Sequence, residues 1–262
     1  MIASDKSAWG EKGKHQAFYL YVNAVEYIME INIAEFKKIA DGEIINPQWA
    51  ITKQFLEVNK IKMIDDEYVY ERYSIGSRTQ TYIDRKNLTT DVYNYDEIGF
   101  YYEVEDSRYF YYIGVDINKK DISDVGAVNG TYCYLSADSL DMTLEEMAKL
   151  TKLKYTEGAS KGQKTNRGRG FYACSWAEYK FTDLTSYELE KSLNMLLDEL
   201  EKDKEGVRKL AERTNASIVI VKYQYVSANA GIEIDIKTIE RLKELNLGFW
   251  IDMYIQGERF IS

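Results

Sequence analysis

Apolar and polar positions alternate in two regimes along the chain. From Tyr68 to Val115, Tyr, Val, Ile, Phe and Thr recur in short runs, the residue types that suit a pleated, half-buried surface. Ile98–Val104 and Tyr109–Val115 flank the polar stretch Glu105–Arg108, a pattern that predicts a β-hairpin. Tyr68–Ile75 and Gln80–Asp84 are two more strand candidates. Two helices are expected upstream. One runs from about Ile33 to Ala40 and stops near Gly42, a C′ glycine. The other is capped by Asn46, has Pro47 at its first position, and continues through Trp49, Phe55, Leu56 and Asn59. Ala17–Ile31 reads as a strand, with a helix nearly as good.

Beyond Gly130 the periods change more often. Thr131–Ala137 alternates as a strand. Thr143-Leu-Glu-Glu146 is a capping box that opens a short helix with Leu144, Met147, Ala148 and Leu150 on it. Phe171–Phe181 is a second strand, with Trp176 in it. A second capping box, Thr185-Ser-Tyr-Glu188, opens the longest predicted helix, reaching about Arg213. Leu189, Leu193, Leu196, Leu197, Leu200, Val207 and Leu210 form its apolar stripe. Ser217–Val226 and Gly231–Ile236 read as strands. Asp235 caps a helix through Ile239, Leu242 and Leu245, and Leu247–Ile255 is a last strand before Gly257.

Asp116–Gly130 is polar and glycine-containing, and marks a boundary between two domains, residues 1–120 and 131–262. The expected class is α+β: a Tyr-rich mixed α/β N-terminal domain, then a C-terminal antiparallel sheet with helices on one face, ferredoxin-like or related. That arrangement buries each apolar stripe.

Four pieces of the C-terminal half, taken in order, resemble a known family. They are the polar Asp138–Asp141 turn with its Thr-headed helix ending in Leu153; the Gly- and Lys-rich loop Gly158–Gly170; the Ser175-Trp176 strand followed by the Leu-rich helix; and the ending Leu247-Gly-Phe-Trp-Ile-Asp252-Met-Tyr254. From about Thr131 to Gly257 the chain resembles the family called domain of unknown function 4279. The resemblance implies a fold and supplies no catalytic residues.

Composition narrows the chemistry. Of 262 residues, 45% are apolar, which fits a folded chain with a sizeable core, and the formal net charge is −9. An acidic total weighs against general nucleic-acid binding, which depends on Lys and Arg at phosphates. Cys133 and Cys174 lie in apolar runs and read as ordinary thiols. The polar start, Met1–Lys14, lacks the apolar core of a secretory signal, and Gln16–Val25 is too short to span a bilayer. A cytoplasmic protein without membrane partners is expected. His15 is the sole histidine, so neither a Ser-His-Asp or Cys-His set nor a zinc site assembles; no catalytic residue, metal or cofactor is expected.

Three candidate sites remain. The basic loop 149–169 holds seven cations against Glu157, with Lys161, Lys164, Arg167 and Arg169 at its centre. It reads either as a solvated loop or as a docking site for an anion, nucleic acid or an acidic protein surface. Eleven of the 23 tyrosines lie between Tyr68 and Tyr112. Tyr101, Tyr102, Tyr109, Tyr111 and Tyr112 place rings on both faces of one hairpin, so either another domain or subunit covers the second face as an interface or the sheet is fully internal. Asp138, Asp141 and Asp252 are candidate carboxylates for a small-molecule enzyme, more simply read as turn and cap residues. The leading expectation is a non-enzymatic protein-binding protein and homo-oligomer. It would be an inhibitor or immunity-type factor, such as a phage counter-defence protein, that occludes a defence enzyme or toxin. A nucleic-acid or nucleotide-binding module using the basic loop is the first alternative, and the enzyme is the second.

Overall fold

The computed structural model describes residues 31–84, 89–166, 168, 170–181, 188–228 and 231–258. The expected strand Ala17–Ile31 lies almost wholly outside them. The fold is α+β, and the described strands form two antiparallel sheets, of two and four strands, and one mixed sheet of five.

The N-terminal half begins with helices α1 (Ile33–Ile45) and α2 (Ala50–Val58). α1 runs through Gly42 instead of stopping there, because its last turn has a task. Glu43 is 4% exposed, and its carboxylate accepts from the backbone N–H of Gln48 at 3.0 Å and of Trp49 at 3.0 Å. A buried carboxylate thus holds the entry to α2, and the expected Asn46–Pro47 start falls in the link before it. A two-residue hairpin follows, β1 (Met63–Ile64) and β2 (Glu67–Tyr68), turning on Asp65 and Asp66 at positive φ.

β3 (Tyr70–Asp84), β4 (Thr89–Glu103), β5 (Phe110–Asp116) and β6 (Asp121–Val128) form an antiparallel meander in sequence order. The two strands expected over 68–84 are mostly one 15-residue strand, paired residue by residue with β4 from Tyr73 to Asp84. The polar residues that hid this strand take part in a regular ladder. The β4–β5 hairpin is present. The segment expected as a boundary is largely β6, paired with β5 from Phe110↔Val128 to Asp116↔Asp121. Asn129 alone separates it from the next strand.

That strand, β7 (Gly130–Ser139), begins the second sheet. α3 (Leu144–Ala148) carries the predicted capping box: Glu146 N–H donates to Thr143 Oγ1 at 3.3 Å and Thr143 N–H to the Glu146 carboxylate at 2.7 Å. β8 (Glu157–Ala159) is a strand the apolar pattern missed, and β9 (Ser175–Tyr179) follows. The predicted long helix is two, α4 (Leu189–Leu200) and α5 (Lys204–Arg213), joined by a 3₁₀ turn at Glu201–Asp203. Asp203 makes the break. It caps α5 through Gly206 N–H at 3.3 Å and accepts from the Thr151 hydroxyl at 2.8 Å. β10 (Asn215–Tyr225), α6 (Ile236–Glu244) and β11 (Gly248–Gln256) complete the chain. The expected strand 231–236 is not one: residues 231–235 join no sheet, and Asp235 turns the chain into α6 by accepting from Thr238 N–H at 2.7 Å.

The sheet order is β11-β10-β7-β9-β8. Within it, β10-β7-β9-β8 is the antiparallel split arrangement of a ferredoxin-like sandwich. β11 extends it as a fifth strand, parallel to β10 across α6. The described helices cover one face of it. Cys133, Leu135, Ala137, Ile218 and Ile220 point into a core shared with Met147, Leu193, Leu197, Val207, Leu210 and Leu242. The two halves also meet through side chains. Tyr225, at the end of β10, enters the N-terminal core, with ring centroids 5.6 Å from Phe55 and 5.1 Å from Tyr109. No described helix is long and apolar enough to cross a membrane.

Candidate functional site

The hairpin tyrosines are internal. Tyr101, Tyr102, Tyr109, Tyr111 and Tyr112 are all at most 4% exposed, which corrects the expectation that they form a partner surface. The cause is that α1 and α2 lie on one side of the hairpin and satisfy its hydroxyls. Tyr102 donates to Asp41 at 2.7 Å, Tyr109 to Asn59 at 2.6 Å and Tyr111 to Thr52 at 2.9 Å. The Tyr111 ring stacks on Phe55 at 4.2 Å. Burial and the neighbouring Asp41 push the Tyr102 hydroxyl well above its ordinary range. On the other side, Tyr101, Phe110 and Tyr112 form a small cluster of their own. Tyr112 lies flat across Gly99, where an added Cβ would come within 2.4 Å of the ring. Its hydroxyl bonds Glu97, which is 2% exposed and also accepts from Arg78 at 2.5 Å and Ser123 at 2.9 Å.

The basic loop is an extension of the β8–β9 hairpin. Gly162 N–H donates to Tyr172 O and Tyr172 N–H to Gln163 O, both at 2.9 Å. Gly162 and Gly170 take φ of 81° and 118°, which L side chains rarely adopt, so the glycines are conformational. Lys161 reaches the Leu140 carbonyl at 3.1 Å, and Lys164 is exposed opposite Phe171. Lys149 pairs with Glu145 at 2.8 Å. Arg167 and Arg169 lie outside the described residues.

The three candidate carboxylates do not converge. Asp138 is registered with Asn215 of β10 and accepts from its side-chain amide at 3.0 Å. Asp252 is registered with Val221. That is six positions along β10, roughly 20 Å at about 3.3 Å per residue. Asp141 sits in the turn after β7. Among the described residues, no group of three His, Cys, Asp or Glu is placed to hold a metal ion. Cys133 faces the helices, and burial pushes its thiol up to about 12. Both cysteines are free.

The surface that the sequence reading missed is the second face of the five-stranded sheet, away from the helix-side core. The strand register puts Trp250 and Tyr254 of β11, Tyr223 of β10, Tyr132 and Tyr134 of β7, and Trp176 of β9 on it. Four rings form a ladder across three strands. Tyr254 and Tyr223 lie 5.3 Å apart at 20°, Tyr223 and Tyr132 6.3 Å apart at 26°, and Tyr132 and Tyr134 6.1 Å apart at 21°. The β4–β5 turn supplies Arg108, whose guanidinium lies 5.6 Å from the Tyr223 ring centre and 6.0 Å from that of Tyr132. Lys180 Nζ lies 4.7 Å from the Tyr132 ring centre. Burial beside neighbouring carboxylates and tyrosines pushes the Tyr134 hydroxyl up to about 12. Tyr254 is raised by its hydrogen bond to Asp252, at 2.8 Å. Trp250 is 57% exposed and Tyr254 47%, and the remaining rings are half-buried. The acids on this face are Glu178, Asp138 and Asp252, with Glu157 at the β8 edge.

The signal was present in the sequence. Tyr132/Tyr134, Tyr223/Tyr225 and Trp250/Asp252/Tyr254 repeat with the two-residue period that puts them on one side of a strand. What could not be read was which side the helices take.

Fold and face together define an α+β protein built on a ferredoxin-like sheet with one aromatic face that no described helix covers. Residues 129–256 match the model of the family described as a domain of unknown function, DUF4279. The match spans all five strands and their helices, and the N-terminal half has no family match. No curated protein and no solved structure matches the chain.

Proposed function

We propose that the chain is a non-enzymatic protein-binding protein of the inhibitor or immunity kind, and that the aromatic sheet face is its docking surface. The observation that carries this reading is the ring ladder on a face that no described helix covers. A sheet normally buries its apolar face against another layer. Tyr and Trp left on such a face offer large contact area at little entropic cost and are enriched in interfaces. The charge around the rings favours a protein over nucleic acid. Arg108 and Lys180 already lie over rings, and the carboxylates Glu178, Asp138 and Asp252 share the face. Phosphate would meet net repulsion there, whereas a protein patch with an apolar centre and a Lys/Arg rim would not. Occlusion of a cytosolic defence enzyme or toxin is the task such a face would serve, and the free thiols fit a reducing compartment.

Affinity capture from a host-cell lysate, with and without nuclease, tests this with the wild-type chain and a Tyr134→Ala/Tyr223→Ala variant. The expected result is one stoichiometric, nuclease-resistant protein that the wild type retains and the folded variant loses. Equal retention by the variant would overturn the face as the site. Nucleic acid alone, lost on nuclease treatment, would favour the basic hairpin, whose Tyr172 stands 5.9 Å from Trp176 at the margin of the same face.

A further inference from the structure

We infer that two copies of the chain pair edge to edge through β11, joining their five-stranded sheets into one. The inference does not depend on what docks on the open face. β11 is the terminal strand of its sheet, and among the described residues its outer edge meets no other strand. Natural edge strands are blunted by shortness, proline, lysine, a bulge or a covering element. β11 has nine residues, no proline, no lysine and one charge, Asp252, and it is registered with β10 over nine pairs without a shift.

Both sides of the strand expose apolar surface. Trp250 (57%) and Tyr254 (47%) lie on the open face; Phe249 (43%), Met253 (45%) and Ile255 (64%) lie on the other. Their exposed parts total on the order of 500 Å², against the roughly 800 Å² per partner of a standard interface. α6, which leads directly into β11, adds Ile236 (67%) and Ile239 (45%), and the backbone edge adds the rest.

Self-complementarity argues for a second copy over a foreign strand. A twofold axis through the seam pairs residues whose numbers have a constant sum, and a continuous face requires that sum to be even. With Met253 against Met253 of the second copy, Ile251 meets Ile255 and Asp252 meets Tyr254, on both sides of the axis. Asp252 and Tyr254 already share a hydrogen bond of 2.8 Å within one chain, so the same chemistry serves across the seam. Centring the pair on Asp252 instead would set carboxylate against carboxylate, which is destabilising. The one charge on the strand therefore disfavours one register and does not block pairing.

The test is sedimentation equilibrium of the full chain at micromolar concentrations, with cross-linking in a Cys174→Ser background. The wild type is expected at twice the 30.5 kDa chain mass. Ile255→Lys, at an exposed position that disturbs no core packing, is expected at the monomer mass with an unchanged thermal melt. Met253→Cys is expected to form a disulfide-linked dimer on oxidation, because opposite residues of an antiparallel pair have Cα atoms about 4.5–5.5 Å apart, within disulfide reach. Leu140→Cys, 64% exposed in the turn after β7, is the control and is expected to stay monomeric. A monomeric wild type, a dimer that survives Ile255→Lys, or cross-linking of Leu140→Cys as readily as Met253→Cys would each overturn the inference.

Discussion

The tyrosines of β4 and β5 and those of β7, β10 and β11 occupy strands of the same kind and end in different surroundings. Tyr102, Tyr109 and Tyr111 face α1 and α2, which supply Asp41, Thr52 and the Phe55 ring, with Asn59 just beyond. Tyr132, Tyr134, Tyr223 and Tyr254 face a side that no described helix covers, and meet one another, Asp252, Arg108 and Lys180. A tyrosine can be core or contact surface with the same local sequence. The layer above it decides, and that layer comes from distant parts of the chain. In the first set the rings hold the fold together. In the second they are half-buried or exposed, and on the proposed reading they are kept for binding.

Mutations can break that contrast. Tyr111→Ala should destabilise the most, by about 3–5 kcal/mol in urea unfolding, since it empties a buried stack on Phe55 and strands the Thr52 hydroxyl. Glu97→Ala comes next, at about 2–3 kcal/mol; it leaves the Tyr112 hydroxyl without its acceptor, and the loss is moderated because Arg78 is half exposed. Asp203→Ala should cost about 1–2 kcal/mol as the cap of α5 and the tie to Thr151 are lost. Burial alone would raise the Asp203 carboxyl, but the Lys152 N–H, the Thr151 hydroxyl and the Gly206 N–H outweigh it and hold the group below its ordinary value. With the folded value depressed, its stabilising contribution is complete above the unfolded pKa of about 3.9 and is lost as pH falls through the folded value. Asp203→Asn should therefore flatten the acid limb of the stability profile, seen by unfolding at a series of pH values. Smallest of all, Trp250→Ala should change stability by no more than about 0.5 kcal/mol. It should still weaken capture of a partner. A large loss of stability there would show that Trp250 is core and would erase the contrast.

Much of the C-terminal fold was legible in the sequence. The capping box at Thr143 and the Asp235 cap rest on contacts within a few residues, and the apolar runs of β7, β10 and β11 mark their strands to within a residue or two at each end. Failures came where a distant residue intervenes. Glu43 takes over the start of α2, Asp203 splits a continuous apolar stripe into α4 and α5, and β3 carries the polar length of β4 as a strand. β6 read as a boundary because Asp121, Ser123 and Asp124 interrupt its apolar pattern; its backbone pairs with β5 regardless. The candidate site was the least legible part. The count of tyrosines in the hairpin drew attention to a region that α1 and α2 bury, while the rings of the open face are spread over strands from Tyr132 to Tyr254.

Oxidative footprinting tests the central claim most directly, read residue by residue by mass spectrometry on the chain alone and on the chain bound to its captured partner. The account predicts that Tyr134, Trp176 and Tyr223 are labelled in the free chain and protected in the complex, while Tyr102, Tyr109 and Tyr111 stay unlabelled in both. Hairpin tyrosines that are labelled when free and protected on binding, with the open face unchanged, would contradict it.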